Sequence, residues 1–221
     1  MRIRFTTPAY LLIAALLAAT VLAADTQPAA EHSATATKTV ETIVIFRHGE
    51  KPASGLGQLT PQGLNRALGI STVLPAKFGK PNYLFAPDPR EKVSDRGGLY
   101  NYVRPLATIE PLAIRLGMPV QTPCGYRDVA ELNDELKNQK YAGATIFVAW
   151  EHGYAQRAAV DLVKSLGGNA SKVPQWKDDD YDSLYVVKIT RESGRAPAVS
   201  FELDHEGLDG QSEKMPSAAG K

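Results

Sequence analysis

Two stretches of the chain share one form. Thr42–Gly49 reads TIVIFRHG and Ala144–Gly153 reads ATIFVAWEHG. Each is a run of β-branched and aromatic residues without the polar alternation of a half-exposed strand, so each predicts a strand buried on both faces. Each delivers a His followed by a Gly at its carboxyl end. Around them, strand and helix patterns alternate. Thr60 predicts the cap of a helix over PQGLNRALGISTVLPAKF, with Pro61 at its first position. NYLFAPD predicts a second strand. LYNYVRPLATIEPLAIRLG predicts a helix that ends at Gly117. DVAELNDELKNQ reads as a short polar helix, and YAQRAAVDLVKSLGG as a helix stopped by Gly167 and Gly168. SLYVVKITRESGRAPAVSFELD alternates like a terminal hairpin. This order predicts an α/β fold, a three-layer α/β/α sandwich with a mainly parallel sheet.

In an open sheet of this kind the ligand crevice lies outside the carboxyl ends of the strands. If the two strands run parallel, His48 and His152 reach one crevice. Arg47 adds a planar fork of donors suited to phosphate oxygens. Taken alone, a strand-end His is most often a hydrogen-bonded structural group. Two in matching positions, one beside an Arg, favour a site.

The chain has 221 residues, enough for one domain with a substantial core. Net charge is +1, with both signs mixed along the chain, which gives no electrostatic case for a nucleic-acid partner. Arg2 and Arg4 precede an apolar run from Tyr10 to Ala23, and small residues follow. That is the pattern of a signal peptide over residues 1–23. The run is well short of the roughly 20 residues of a spanning helix, so no membrane anchor is expected after cleavage. Residues 24–40 read as a disordered leader, 41–206 as the folded domain, and 207–221 as a flexible tail. Cys124 is the only cysteine, so an exported chain would hold no internal disulfide. Periplasmic or secreted localisation follows as an expectation.

RHGE at Arg47–Glu50, followed by LTPQGLNRA at Leu59–Ala67, resembles the histidine phosphatase superfamily, the phosphoglycerate mutase-like proteins. RPLAT, with Arg104 and Thr108, and EHG, with His152, continue the resemblance in the same order. It spans Thr42 to Leu166. It implies a phosphoglycerate mutase-like fold and hydrolysis of small phosphate monoesters without a metal or other cofactor. Arg47, Arg104 and His152 would surround the phosphate, and His48 would attack phosphorus to form a phosphohistidine. The leaving alkoxide needs a proton. The family's usual placement points to Glu131 as donor, with Glu151 as the alternative and Asp128 and Glu135 as nearby competitors.

The chain departs from the family pattern in two places. Glu151 directly precedes the second His, where a small or hydroxyl residue is common. The segment from Pro87 to Tyr102 separates the second strand from Arg104, and loops at strand ends shape pockets, so it is the expected specificity element. Arg90 and Arg96 lie inside that segment and read as solvated loop residues.

Two other readings compete. One is a phosphate-binding or regulatory module of the same fold with little turnover. The other is a metal site from His48, Glu50, Glu151 and His152, disfavoured by the Arg47 cation beside it. The acidic run Asp178–Asp182 lacks the Gly and Glu of a calcium loop and reads as a solvated turn.

Overall fold

The computed structural model describes residues 37–217. The expected signal peptide, residues 24–36 of the expected leader, and residues 218–221 lie outside the described residues; residues 38–40, read as leader, instead belong to the first strand, where they pair with Thr190, Arg191 and Glu192. Strand β1 runs Lys38–Arg47 and helix α1 Pro61–Phe78, followed by β2 at Tyr83–Phe85. A hairpin of β3, Lys92–Asp95, and β4, Gly98–Asn101, precedes α2 at Arg104–Leu116. Then come β5 at Val120–Gln121, α3 at Val129–Leu136, β6 at Thr145–Trp150 and α4 at His152–Ser165. Strands β7, Ser183–Glu192, and β8, Ala198–His205, close the order.

Six strands form one sheet in the order β5-β2-β6-β1-β7-β8. The first four are parallel, and β7 and β8 add on antiparallel. The apolar run of β1 is buried throughout, from Ile43 to Phe46. Strand alternation divides it between two cores. Ile43 and Ile45 pack with Ile146, Val148, Leu132 of α3 and Ala155 of α4. Val44 and Phe46 pack with Phe147, Ile70 of α1 and Ile109 of α2. Helices therefore cover both faces, and the sandwich has the three layers expected of it.

Local chemistry sets the element boundaries. The Thr60 side chain accepts from the Gly63 amide at 3.1 Å, which caps α1 just before Pro61. The helix expected from Leu99 begins only at Arg104, because Gly98–Asn101 pairs as β4. The two residues between β3 and β4 are Arg96 and Gly97, and Gly97 has φ of 94°, which a two-residue hairpin turn favours.

The tail corrects an expectation. Residues 207–214 do not stand free of the fold. Leu208 is buried against α1 at Gly69. The Asn65 side-chain amide donates to the carbonyls of Ser212 and Lys214. The physical reason is Arg66 on α1, a buried guanidinium within ion-pair distance of Glu50, Asp182, Glu206 and Asp209. Two of those carboxylates come from the segment that follows β8, and they anchor it.

Candidate active site

Strands β1 and β6 run parallel with Arg47 opposite Trp150. The His48 amide donates to the Trp150 carbonyl at 3.0 Å, so the ladder continues one residue past β1. This register sets His48 beside Glu151 and His152. Beyond the ladder, β6 hands the chain to α4, with Glu151 as N-cap and His152 as first helical residue.

The other half of the site comes from α2. Arg104 opens that helix, and one turn later the Thr108 hydroxyl accepts from the Gly49 amide at 3.0 Å while donating to the Arg104 carbonyl at 2.8 Å. The Arg-x-x-x-Thr spacing thus ties the start of α2 to the residue after His48. The i, i+4 geometry of a helix is what lets one Thr serve both.

These elements enclose a cavity of about 260 Å³ lined by Arg47, His48, Arg104, Glu151 and His152. Lys51, Asp95, Tyr102, Tyr126 and Tyr154 complete most of the wall. The His48 Nδ1 lies 2.7 Å from the Gly49 carbonyl. A carbonyl only accepts, so Nδ1 carries the proton and Nε2 keeps its lone pair. Burial lowers the His48 pKa to about 3, against the pull of the Gly49 carbonyl and with help from the Arg104 and Arg47 charges. The imidazole is held neutral, as a nucleophile must be.

Arg47 spends Nη1 on the carbonyls of Asp178 and Asp180, at 2.7 and 2.8 Å, and its guanidinium stacks on Tyr181. Its Nε has no partner. Among the described residues, four buried nitrogen or hydroxyl atoms lack a hydrogen-bond partner: Arg47 Nε, Tyr102 OH, Arg104 Nε and His152 Nδ1. All four belong to residues that line this cavity. His152 Nδ1 lies 2.6 Å from Glu151 Oε1, a close contact without hydrogen-bond geometry. The other unpartnered buried atoms are oxygens of Glu41, Glu50, Glu91, Asn133 and Glu206, none of which lines the cavity. Buried donors without acceptors are costly, and the residues that carry these four surround one cavity.

Arg47, His48, Arg104, Glu151 and His152 are brought together. Glu131 is not among them: it lies exposed on α3, away from the lining residues. Asp128, at the N-cap of α3, and Glu135 also lie outside the cavity, and Glu135 bonds Lys140 and Tyr141. Arg90 is 88 % exposed and paired with Asp88, and Arg96 is exposed at the hairpin tip. Glu50 turns away to Arg66, which takes it out of any set with His48 and His152.

Sequence reading missed Asp95 and the tyrosines. Asp95 reaches the cavity from β3 and accepts from Arg104 Nη1 at 2.7 Å and the Gly57 amide at 2.9 Å. Tyr102 is fully buried, edge-on to His48 at 6.0 Å and beneath the Arg104 guanidinium. The available signal was the position of Tyr102, two residues before Arg104 in a segment read wholly as helix.

No protein-family model and no curated protein matches the chain. Among solved structures, the chain is similar to a candidate phosphohistidine phosphatase SixA from Nakamurella multipartitia, with 14% identity and a TM-score of 0.51. That match covers 75% of this chain and 96% of the other. The chain has the phosphoglycerate mutase-like fold. A phosphoglycerate mutase from Plasmodium falciparum is 10% identical with a TM-score of 0.49, over 83% of this chain and 99% of its own. A mycobacterial glucosyl-3-phosphoglycerate phosphatase solved with inorganic phosphate is 16% identical with a TM-score of 0.48, over 73% and 95%. Within this fold the carboxyl ends of β1 and β6 form the crevice, and Arg47, His48, Glu151 and His152 line it there.

Proposed function

We propose that the protein is a metal-independent phosphatase that hydrolyses small phosphorylated compounds through a phosphohistidine on His48. The observation that carries this reading is that the donor-bearing side chains of Arg47 and Arg104 line one cavity with His48, Tyr102 and His152. A phosphoryl group offers several acceptor oxygens and a charge that those donors neutralise. In the first step Nε2 of His48 attacks phosphorus in line with the departing group. In the second, water displaces the phosphoryl group from Nε2. Arg47 and Arg104 stabilise the charge on the oxygens in both transition states. The apolar, Arg-led N-terminus supports export to a periplasm or the medium.

Hydrolysis of p-nitrophenyl phosphate in EDTA tests the reading, together with acid-labile, base-stable labelling of the protein. Turnover with a trapped adduct supports it. Phosphate binding without either would make the chain a phosphate-binding module. Loss of activity on chelation would end the metal-free assignment. Mass determination of the mature N-terminus after expression with its leader tests export.

A further inference from the structure

Two carboxylates line the cavity, Asp95 and Glu151, and each is already held by neighbouring donors. Asp95 Oδ2 is held by Arg104 Nη1 and by the Gly57 amide. Glu151 Oε2 accepts from the Tyr154 amide at 2.9 Å as the N-cap of α4, and Oε1 meets His152. Burial pushes both carboxyls up. For Glu151 it is outweighed by His152, the Tyr154 N–H and His48, and for Asp95 by Arg104, the Gly57 N–H and Lys51, so both are held below the usual carboxylate range. A third carboxylate, Asp178, contacts His152 Nε2 at 2.9 Å, but its side chain is 98 % exposed to water. A general acid on an alkoxide needs the opposite setting, a carboxyl kept protonated near neutrality.

Resting on the phosphatase reading, we propose that the site acts on phosphoryl groups whose leaving group departs without a proton: aryl phosphates, acyl phosphates and N-phosphorylated rings already protonated by solvent. The first step is balanced without an enzyme acid. The His48 Nε2 lone pair forms a new P–N bond as the bond to the leaving group breaks: a P–O bond whose electron pair leaves on a phenolate or carboxylate oxygen, or the P–N bond of a ring protonated on its other nitrogen, whose pair returns to the ring as a neutral heterocycle. In the second step the oxygen of water attacks phosphorus, the P–N pair returns to Nε2, and the proton of the attacking water passes to solvent.

The test measures kcat/KM for a series of aryl and alkyl phosphates of rising leaving-group pKa, with wild type, Glu151→Gln and Asp178→Asn. The expected result for wild type is a steep fall with leaving-group pKa, at least about 10²-fold between p-nitrophenyl phosphate and an alkyl phosphate, the range that general acid catalysis would otherwise supply. Glu151→Gln should leave the slope unchanged. Asp178→Asn should leave the slope unchanged. A shallow wild-type slope overturns the proposal whatever the variants do, since it requires a working acid. Steepening in Glu151→Gln or Asp178→Asn overturns it and names that acid. No turnover of any phosphoryl compound, and no adduct, would instead remove the phosphatase reading itself.

Discussion

Gly49 and Gly63 meet backbone against backbone. A Cβ on Gly49 would lie 2.7 Å from the Gly63 carbonyl oxygen, and one on Gly63 would lie 2.4 Å from the Glu50 carbonyl oxygen. The loop after His48 and the first turn of α1 therefore touch with no room for a methyl group on either side. This explains why a Thr-x-x-Gly helix start accompanies Arg-His-Gly in this chain. Ala normally favours a helix over Gly by about 1 kcal/mol. Here the obstruction is main chain, which cannot swing aside, and overpacking of this kind costs about 1–3 kcal/mol. Gly63→Ala should lower Tm by several degrees, at roughly 2–4 °C per kcal/mol for a domain of this size. It should also lower kcat, because Gly49 holds the His48 ring nitrogen. Gly98→Ala is the control, since its Cβ meets only the Tyr100 side chain at 3.4 Å. Thermal melts that rank the two variants equally would contradict the packing.

His48→Ala should abolish turnover and the acid-labile adduct while the far-UV spectrum stays that of wild type. The pH profile carries a second expectation. A His with an ordinary pKa would give kcat/KM an acid limb near 6.5. His48, at about 3, is already neutral there, so no limb near 6.5 should belong to it. Assignment of the His48 ring by NMR titration checks this. A midpoint above 6 would mean that the ring is far better solvated than its burial implies.

Arg104→Ala should cost at least about 10²-fold in kcat/KM, the scale for losing one transition-state donor. It also leaves Asp95 without its cation, which adds a local repulsion against a bound phosphoryl dianion. Arg90→Ala should stay within about a factor of two, as surface changes do. Steady-state kinetics on one aryl phosphate decide the matter. A larger loss for Arg90→Ala would place the second phosphate-binding arginine in the hairpin segment.

The parts of the fold that could be read in the sequence are those set by local rules. The runs Ile43–Phe46 of β1 and Ile146–Trp150 of β6 are apolar at every position, and their shortness and β-branched and aromatic content favour a strand buried on both faces. Thr60 and Pro61 mark α1 by capping chemistry alone. The β3–β4 hairpin was missed because KVSD and GLYN alternate weakly and stay half exposed, so their pairing depends on docking over the site rather than on apolar periodicity. Arg47, His48, Arg104 and His152 could be selected by motif order. Which carboxylate faces them could not be, since Glu131 and Glu151 differ in tertiary placement and not in local pattern. The tail was misread for a similar reason. Among its described residues the buried apolar one is Leu208, and its hold on the fold comes from Arg66, far away in sequence.

That hold supplies the last prediction. Glu206 is buried beside Arg66, whose Nη1 donates to it at 2.7 Å, while Asp182 and Glu50 add negative charge and Asp209 shares the same guanidinium. Burial pushes the Glu206 carboxyl up to about 8, against the attraction of Arg66. An acid whose pKa is raised by folding holds its proton in the native state at pH values where the unfolded chain has lost it. Between about 4.5 and 8 the native state therefore binds more protons, and stability falls as pH rises through that window. His48 works in the opposite sense. Its lowered pKa makes stability rise with pH between about 3 and 6.5, after which it titrates in neither state. The clean interval is 6.5 to 8. Over it, urea unfolding of wild type should show falling stability, and Glu206→Gln should flatten the curve by at least about 1 kcal/mol at pH 8, since one pKa unit is worth about 1.4 kcal/mol. The Gln carbonyl can still accept from Arg66, so the anchor of the tail survives the substitution. If wild-type stability instead rises from pH 6.5 to 8 and Glu206→Gln lowers it throughout, then Glu206 is ionised in the fold and serves as the fixed anion that Arg66 requires.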